Sequence, residues 1–311
     1  MNKVLILDCT GVDWTDRNLR INLEADVDSI YEQVSLPLRI IRRIWYKIFP
    51  FKSIWYGKWK NRLSNYEIII VFSSLFGPEI FSWIRKQSYK GRLILYYRDP
   101  QAATYLSNKC RADFIRKYES SVELWTFDKR DSLRYRMKYN PQFYFYCDGL
   151  LKKHVDLLYD AVYIGSTHGR EDEINNIYML LNENGINVRF WIKDENKCIK
   201  QKNVSLITTL MRYEDVLAIN LKSRAIIEIN QRGQTGLTLR ALESLFLKKK
   251  LITNNLDIVS MDFYESQNIF VIGKDEMKRM KGFLETPFKD VNPRIVKKYS
   301  SQSWFERFLH Y

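Results

Sequence analysis

The apolar residues of this chain come in short runs separated by longer stretches of helical period. In the first half the runs fall at residues 4–7, 68–72, 93–97, 122–126 and 143–147, with the length and the β-branched and aromatic content of buried strands. In the second half they fall at 161–164, 188–192, 204–208, 225–229, 251–253 and 269–272. Between them, "PEIFSWIRKQSY", "EDEINNIYMLLNENG" and "YEDVLAINLKS" carry the apolar spacing of amphipathic helices, and Pro78 suits a first turn. Strand–helix alternation of this kind predicts parallel, doubly wound sheets with helices on both faces. The pattern restarts within "DGLLKKHVDLLYDAVYIGS", near residue 155. The expected architecture is α/β: two Rossmann-like domains, 1–154 and 155–295, facing a cleft at the carboxyl ends of their strands. In "SSQSWFERFLHY", Trp304, Phe305, Phe308 and Leu309 stand at helical spacing. They predict a closing helix within 296–311 that packs back on the first domain.

Length agrees with two domains, because 311 residues exceed the ~100–200 that one core usually organises. A hydrophobic fraction of 46% with only 12 Gly and 7 Pro excludes a disordered chain. Cys9, Cys110, Cys147 and Cys198 lie far apart without a CxxC pair, and none of the three histidines stands at ligand spacing from them. That pattern points to reduced thiols in a cytoplasm-like compartment and to no metal site. "MNKVLILDCTGVDW" reads as a first strand rather than a signal peptide, and no apolar run approaches the ~20 residues of a membrane span. The net charge of +14, from 50 basic and 36 acidic residues, attracts polyanions. Nucleic acid, acidic lipid and phosphorylated small molecules all qualify.

Four stretches carry candidate chemistry. In "IEINQRGQTGLTLRALESLFLKKKLITNN" an apolar strand breaks at Gly233 and Gly236 and a helix begins near 236–238. Free N–H groups and the positive dipole end at such a helix start suit a phosphate. Gly236 and Leu237 would bring backbone close, Thr235 or Thr238 would add a hydroxyl, Arg240 would meet phosphate or hold Glu243, and Glu243 would accept from a ribose diol. The same spacing also fits a plain strand–loop–helix in which Thr238 caps and Arg240–Glu243 is a surface pair. In "VYIGSTHGRED", Gly165, Ser166 and Arg170 follow a strand directly and could hold a phosphate at the first turn of the second domain, with His168 nearby. A plain Gly-Ser turn is the alternative.

The third stretch, "LPLRIIRRIWYKIFPFKSIWYGKWKNRL", contains no acidic residue. Leu38, Ile41, Ile44, Trp45 and Ile48 gather on one side of a helical wheel and Arg39, Arg42, Arg43 and Lys47 on the other, with Trp55 and Trp59 following. This suits an anionic membrane or acceptor surface, or a core-facing helix with a solvated basic side; single-stranded nucleic acid could also use aromatics among basic residues, though the aliphatic stripe fits the first two better. Fourth, Asp8, Asp13, Asp16, Asp99, Asp128 and Asp131 follow strands of the first domain. Each could be a cap or turn residue; Asp13 is the candidate general base for an acceptor hydroxyl.

"GLTLRALESLFLKKKLITNN" with "DFYESQNIFVIG" resembles the donor-binding half of GT-B-type glycosyltransferases, most of all those of bacterial capsule and lipopolysaccharide synthesis. "AVYIGSTHGRED" is similar to the opening turn of that half, "LWTFDKRDSLRYRMKYNPQFYF" to a late segment of the acceptor half, and "YSSQSWFERFLHY" to the closing helix. The resemblance implies a transferase that moves a sugar from a nucleotide-diphosphate sugar to a glycan or lipid-linked acceptor, and which the basic aromatic stretch at 36–63 would hold peripherally at the cytoplasmic face of the membrane. It implies that Gly236, Leu237 and Thr238 meet the diphosphate, Glu243 the ribose, and Gly165, Ser166 and Arg170 a phosphate. It further implies no metal and no other cofactor; the regular α/β alternation, without a recognisable nucleic-acid module, argues against a nucleic-acid partner. An EX7E pattern would need a glutamate where Thr235 stands, so retaining and inverting chemistry both stay open. A sugar-nucleotide epimerase or hydrolase on this architecture, and a non-enzymatic nucleic-acid binder, are the alternatives.

Overall fold

A computed structural model describes residues 3–8, 13–49, 51–72, 78–103, 108–146, 149, 155–167, 169–194, 201, 203–209, 211–230 and 236–310; of Asp13 and Asp16 it describes the backbone alone. The chain divides into two compact units, residues 1–141 with 304–311, and residues 142–303.

In the first unit six described strands form one parallel sheet in the order β2-β1-β3-β4-β5-β6. They are β1 (Val4–Asp8), β2 (Asp26–Ser29), β3 (Ile68–Phe72), β4 (Arg92–Tyr97), β5 (Val122–Thr126) and β6 (Lys138–Tyr139). Helices α1 (Asp13–Asn22), α2 (Leu36–Ile48), α3 (Glu79–Lys86), α4 (Ala112–Tyr118) and α5 (Lys129–Tyr135) connect them. Every residue of β1 and β3 is buried, as continuous apolar runs in a sheet covered on both faces require. Neither β2 nor β6 is announced by an apolar run, because both are edge strands with half-exposed side chains.

The second unit repeats the plan. β7 (Tyr159–Ser166), β8 (Val188–Lys193), β9 (Val204–Leu206), β10 (Ser223–Glu228), β11 (Lys250–Thr253) and β12 (Ile269–Val271) form a parallel sheet in the order β12-β11-β10-β7-β8-β9. Helices α6 (Glu171–Glu183), α7 (Tyr213–Leu221), α8 (Leu239–Phe246), α9 (Met280–Glu285) and α10 (Pro293–Lys298) follow. Strand order reverses between β7 and β10, and the crevice at the carboxyl ends of such a pair is where ligands of this topology bind.

Of the segment expected as a strand at 143–147, the described residues 143–146 form none. Tyr144 makes a single parallel bridge to Ser300, its N–H donating to the Tyr299 carbonyl and its own carbonyl accepting from Ser301. Phe143, Tyr144 and Phe145 are buried by packing rather than by a ladder, and Cys147 lies outside the described residues. These bonds tie 142–146 to the second unit, so the division falls at 141/142, whereas the restart of the sequence pattern lies near 155. Helix α11 (Ser301–Leu309) carries the chain back: Trp304 and Phe308 are fully buried in the first unit, edge-on to Tyr96 at 5.2 and 5.9 Å.

The basic aromatic stretch breaks at residue 49. Helix α2 buries none of its residues, so it is not the core-facing helix of the alternative reading. Trp59 is fully buried in the first unit's core, its Nε1–H shared between the carbonyls of Ser29 and Ile30 at 3.1 Å, which removes it from the expected membrane or acceptor surface. Trp55 and Trp45 are half-buried; Trp45 donates to the Phe51 carbonyl and packs 4.3 Å from the Phe49 ring.

Candidate active site

The carboxyl end of β7 sets the floor of the site. Gly165 has no room for a side chain, since a Cβ would lie 2.8 Å from Arg240 Nη2 and 2.9 Å from the Tyr163 hydroxyl. Arg240 uses that space: its guanidinium lies 5.4 Å over the Tyr163 ring and donates to the Ile164 carbonyl. Arg170 takes a different position from the phosphate contact expected of it. It donates to the carbonyls of Thr167 (3.0 Å), Ser166 (2.8 Å) and Ile229, and so clamps the turn after β7 to the end of β10. Ser166, half-buried, ends the strand.

Thr238 caps α8, its Oγ1 accepting from the N–H groups of Arg240 (3.2 Å) and Ala241 (3.4 Å). Its hydroxyl donates to Glu228, which closes β10, and Thr253 at the end of β11 donates to the other oxygen of Glu228 at 2.5 Å. Gly236 and Leu237, just before the cap, are buried; Gly233 and Thr235 lie outside the described residues.

Glu243, one turn into α8, is 3% exposed. One carboxylate oxygen accepts from the Tyr213 hydroxyl and the other from Asn220 Nδ2 at 3.0 Å. The Tyr213 hydroxyl also lies 2.8 Å from that of Tyr144. Burial raises the pKa of Glu243, offset in part by Tyr213, Arg240 and Asn220. Burial raises that of Glu228 too, against Thr238, Thr253 and Arg240. Burial, followed by the neighbouring Glu243 carboxylate, drives Tyr213 well above an ordinary tyrosine, which keeps its proton on the bond to Glu243. Glu243 therefore sits in a buried network with Tyr213 and Asn220, while half-buried Arg240 turns to the end of β7; the two are not a surface pair.

These groups border a cavity of about 190 Å³ between the end of β7, α7 and α8. Gly165, Arg240, Glu243 and Tyr213 supply its polar edge, and Ile207 and Met211 belong to its apolar wall. An apolar slot with a cation and a carboxylate at its rim can hold a flat ring, an adjoining diol and an anionic group together. Sequence reasoning missed Glu228, Tyr213 and Asn220. The signal for Glu228 was present, a lone glutamate in the apolar run "AIIEIN"; Tyr213 and Asn220 had none, because their role depends on α7 lying beside α8.

In the first unit, Asp8 is fully buried at the end of β1 with Arg98 Nη1 at 3.5 Å. Asp128 caps α5 by accepting from the Asp131 N–H, and Asp131 accepts from the Gln101 N–H at 2.6 Å. Both have the cap and turn roles such residues commonly fill. Asp13 opens α1, but its side chain, that of Asp16 and all of His168 lie outside the described residues. Among the described residues no group of three or more His, Cys, Asp and Glu side chains is placed to hold a metal ion.

No family model and no curated protein sequence matches this chain. Solved structures do. Over 98% of both chains, at 14% identity and a TM-score of 0.54, it is similar to T4 phage BGT in complex with UDP and Mn2+. A structure of the DNA modifying enzyme beta-glucosyltransferase, studied with and without uridine diphosphoglucose, aligns over 99% of this chain and 98% of its own, at 13% identity and a TM-score of 0.57. The fold is that of the GT-B glycosyltransferases. AviGT4, a glycosyltransferase involved in avilamycin A biosynthesis, extends the GT-B likeness at 10% identity and a TM-score of 0.51, over 99% of this chain and 96% of its own. Within the GT-B plan, the cavity beside Arg240 and Glu243 belongs to the second Rossmann-like unit.

Proposed function

We propose that this protein is a glycosyltransferase that moves a sugar from a nucleotide-diphosphate sugar to a glycan or lipid-linked acceptor in bacterial cell-surface polysaccharide synthesis, working at the cytoplasmic face of the membrane. The observation that carries the reading is the cavity in which Arg240, Glu243 and the side-chain-free edge at Gly165 meet beside the start of α8. The apolar wall takes the nucleobase. Glu243, held by Tyr213 and Asn220, has carboxylate lone pairs left for the ribose diol. The diphosphate lies toward Gly236, Leu237 and the α8 N-terminus, with Ser166 and Arg240 as the nearby donors.

In the reaction the acceptor oxygen attacks the anomeric carbon as the bond from that carbon to the diphosphate oxygen breaks. The nucleoside diphosphate leaves with the bonding electrons, and the acceptor's proton passes to a carboxylate, for which Asp13 is the candidate. The helix dipole and Arg240 offset the charge of the leaving group, so the chemistry asks for no metal or further cofactor.

A nucleic-acid acceptor is the second reading. The charge of +14 favours it, and one similar fold is that of a DNA modifying enzyme. Salt-sensitive retention of duplex DNA by the intact protein would move the assignment there.

The test is a thermal-shift screen against UDP, GDP, ADP, CMP and their common sugar conjugates. A ligand at ~100 times its Kd adds about 2.7 kcal/mol, a readily measured shift. A selective shift with one nucleoside diphosphate is expected, and it should persist in Asp13→Asn while transfer is lost. No shift with any of them overturns the reading.

A further inference from the structure

Helix α2 is amphipathic in the wrong sense for a soluble protein. A surface helix normally turns its apolar stripe to the core. Here the positions that meet the protein are Arg42, Trp45 and Tyr46: Arg42 Nη1 donates to the Glu32 carbonyl at 2.9 Å and lies 5.5 Å over the Tyr31 ring, whose centroid is 5.4 Å from that of Tyr46. Leu36, Ile40, Ile44 and Ile48, four residues apart, form one row on the outer side and are 71%, 56%, 52% and 64% exposed. Ile41 widens the row, and Phe51 beyond the helix is exposed as well. Arg39, Arg43 and Lys47 form the neighbouring row, also exposed. Residues 33–66 contain eight Lys and Arg and no Asp or Glu.

We infer that the outer face of α2 is an interfacial docking element for an anionic lipid bilayer, with the Leu36/Ile40/Ile44/Ile48 row in the headgroup–acyl boundary and Arg39, Arg43 and Lys47 on lipid phosphates. Thirteen residues, about 20 Å of helix, are too short to cross the hydrocarbon but suited to lying along it. No helix among the described residues is long and apolar enough to cross a membrane, so surface attachment is the mode this element offers. Charge decides among the occupants. A second copy would set two basic rows against each other, and a nucleic acid would use the basic row and leave the isoleucines in water. An anionic bilayer takes both rows at once. The use of this contact, bringing the enzyme to a lipid-linked acceptor, rests on the transferase reading above; the contact itself does not.

The test is co-sedimentation of the full chain with vesicles of phosphatidylcholine alone and with 30% phosphatidylglycerol, a composition chosen to be about one-third anionic. Wild type should pellet with the anionic vesicles, the more so at low salt. Ile40→Gln/Ile44→Gln/Ile48→Gln and Arg39→Glu/Arg43→Glu/Lys47→Glu should each bind them at least ~100-fold more weakly, since each basic contact contributes about fivefold and each isoleucine taken out of water at least as much. Arg42 and Trp45 are left intact because they hold the helix to the unit. Equal pelleting of wild type and either variant, or no pelleting of wild type, overturns the proposal. The nucleotide shift is read on the same preparations. A variant that keeps the shift but leaves the vesicles is folded and supports the docking assignment. Vesicle binding by wild type without any nucleotide shift would overturn the transferase reading alone.

Discussion

A methyl group at position 165 would sit 2.8 Å from the Arg240 guanidinium and 2.9 Å from the Tyr163 hydroxyl. Tyr163 is fully buried and packed on Phe190, so it cannot give way, and Arg240 would have to leave the Ile164 carbonyl. Gly165→Ala should therefore cost about 1–3 kcal/mol in urea denaturation, as overpacking does. Glu243 is the second residue whose environment defines its use. In Glu243→Gln an amide nitrogen replaces one acceptor oxygen, and loss of a hydrogen bond to a charged group predicts a ~10–100-fold higher nucleotide Kd by calorimetry, with the fold retained. The raised pKa of Glu243 sets the pH dependence. Protonation removes an acceptor, so wild-type affinity should fall on acidification, beginning at a higher pH than an ordinary glutamate would give. Glu243→Gln should lack that fall. Such contacts were only half legible: the Arg240–Glu243 spacing was visible in the chain, but the partners of Glu243 came from α7 and those of Arg240 from β7.

Elements differed in how openly the chain declared them. The central strands were legible because burial on both faces demands unbroken apolar runs, as in "VLILD" and "IIIVF". The edge strand "DVDS" was not, since pairing on one side asks little of its side chains. The aromatic run at 143–147 misled in the opposite direction, being apolar for packing and not for pairing. The strand β11 carries a testable burden at its start. Burial lowers Lys249 and Lys250 to about 8 each, with Lys249 Nζ donating to the Leu221 carbonyl and Lys250 Nζ to the Gln267 carbonyl. Between pH 8 and about 10 the unfolded chain holds more protons on these two lysines than the folded one does. They therefore make the fold more stable as pH rises through that window. Urea midpoints at pH 7.5 and 9.5 should show a rise in wild type that Lys249→Met/Lys250→Met diminishes.

At the scale of the molecule, the last residues belong to the first unit. Trp304 is fully buried there, 5.5 Å from the Phe72 ring and 4.8 Å from that of Phe308, and its carbonyl accepts from Asn140 Nδ2 at 3.0 Å. Trp304→Ala should destabilise that unit by about 3–5 kcal/mol. With two units in one chain, differential scanning calorimetry is the measurement: the transition of the first unit should move, and the nucleotide-dependent shift of the second should remain.

What the sequence determined by itself was the class of the fold: two rounds of strand–helix alternation and the central strands; the turns after β7 and β10 it offered as candidate places for a ligand. Periodicity and chain-local chemistry carry that information, because a buried strand and a helix stripe are properties of consecutive residues. Tertiary structure alone decided which polar groups meet. It placed Tyr213 and Asn220 on Glu243, turned Arg170 into a clamp between two loops, and drew Trp59 into the core. It also set the isoleucines of α2 outward, a choice the helical wheel leaves open because rotation about a helix axis is fixed by what the neighbouring elements offer to pack against.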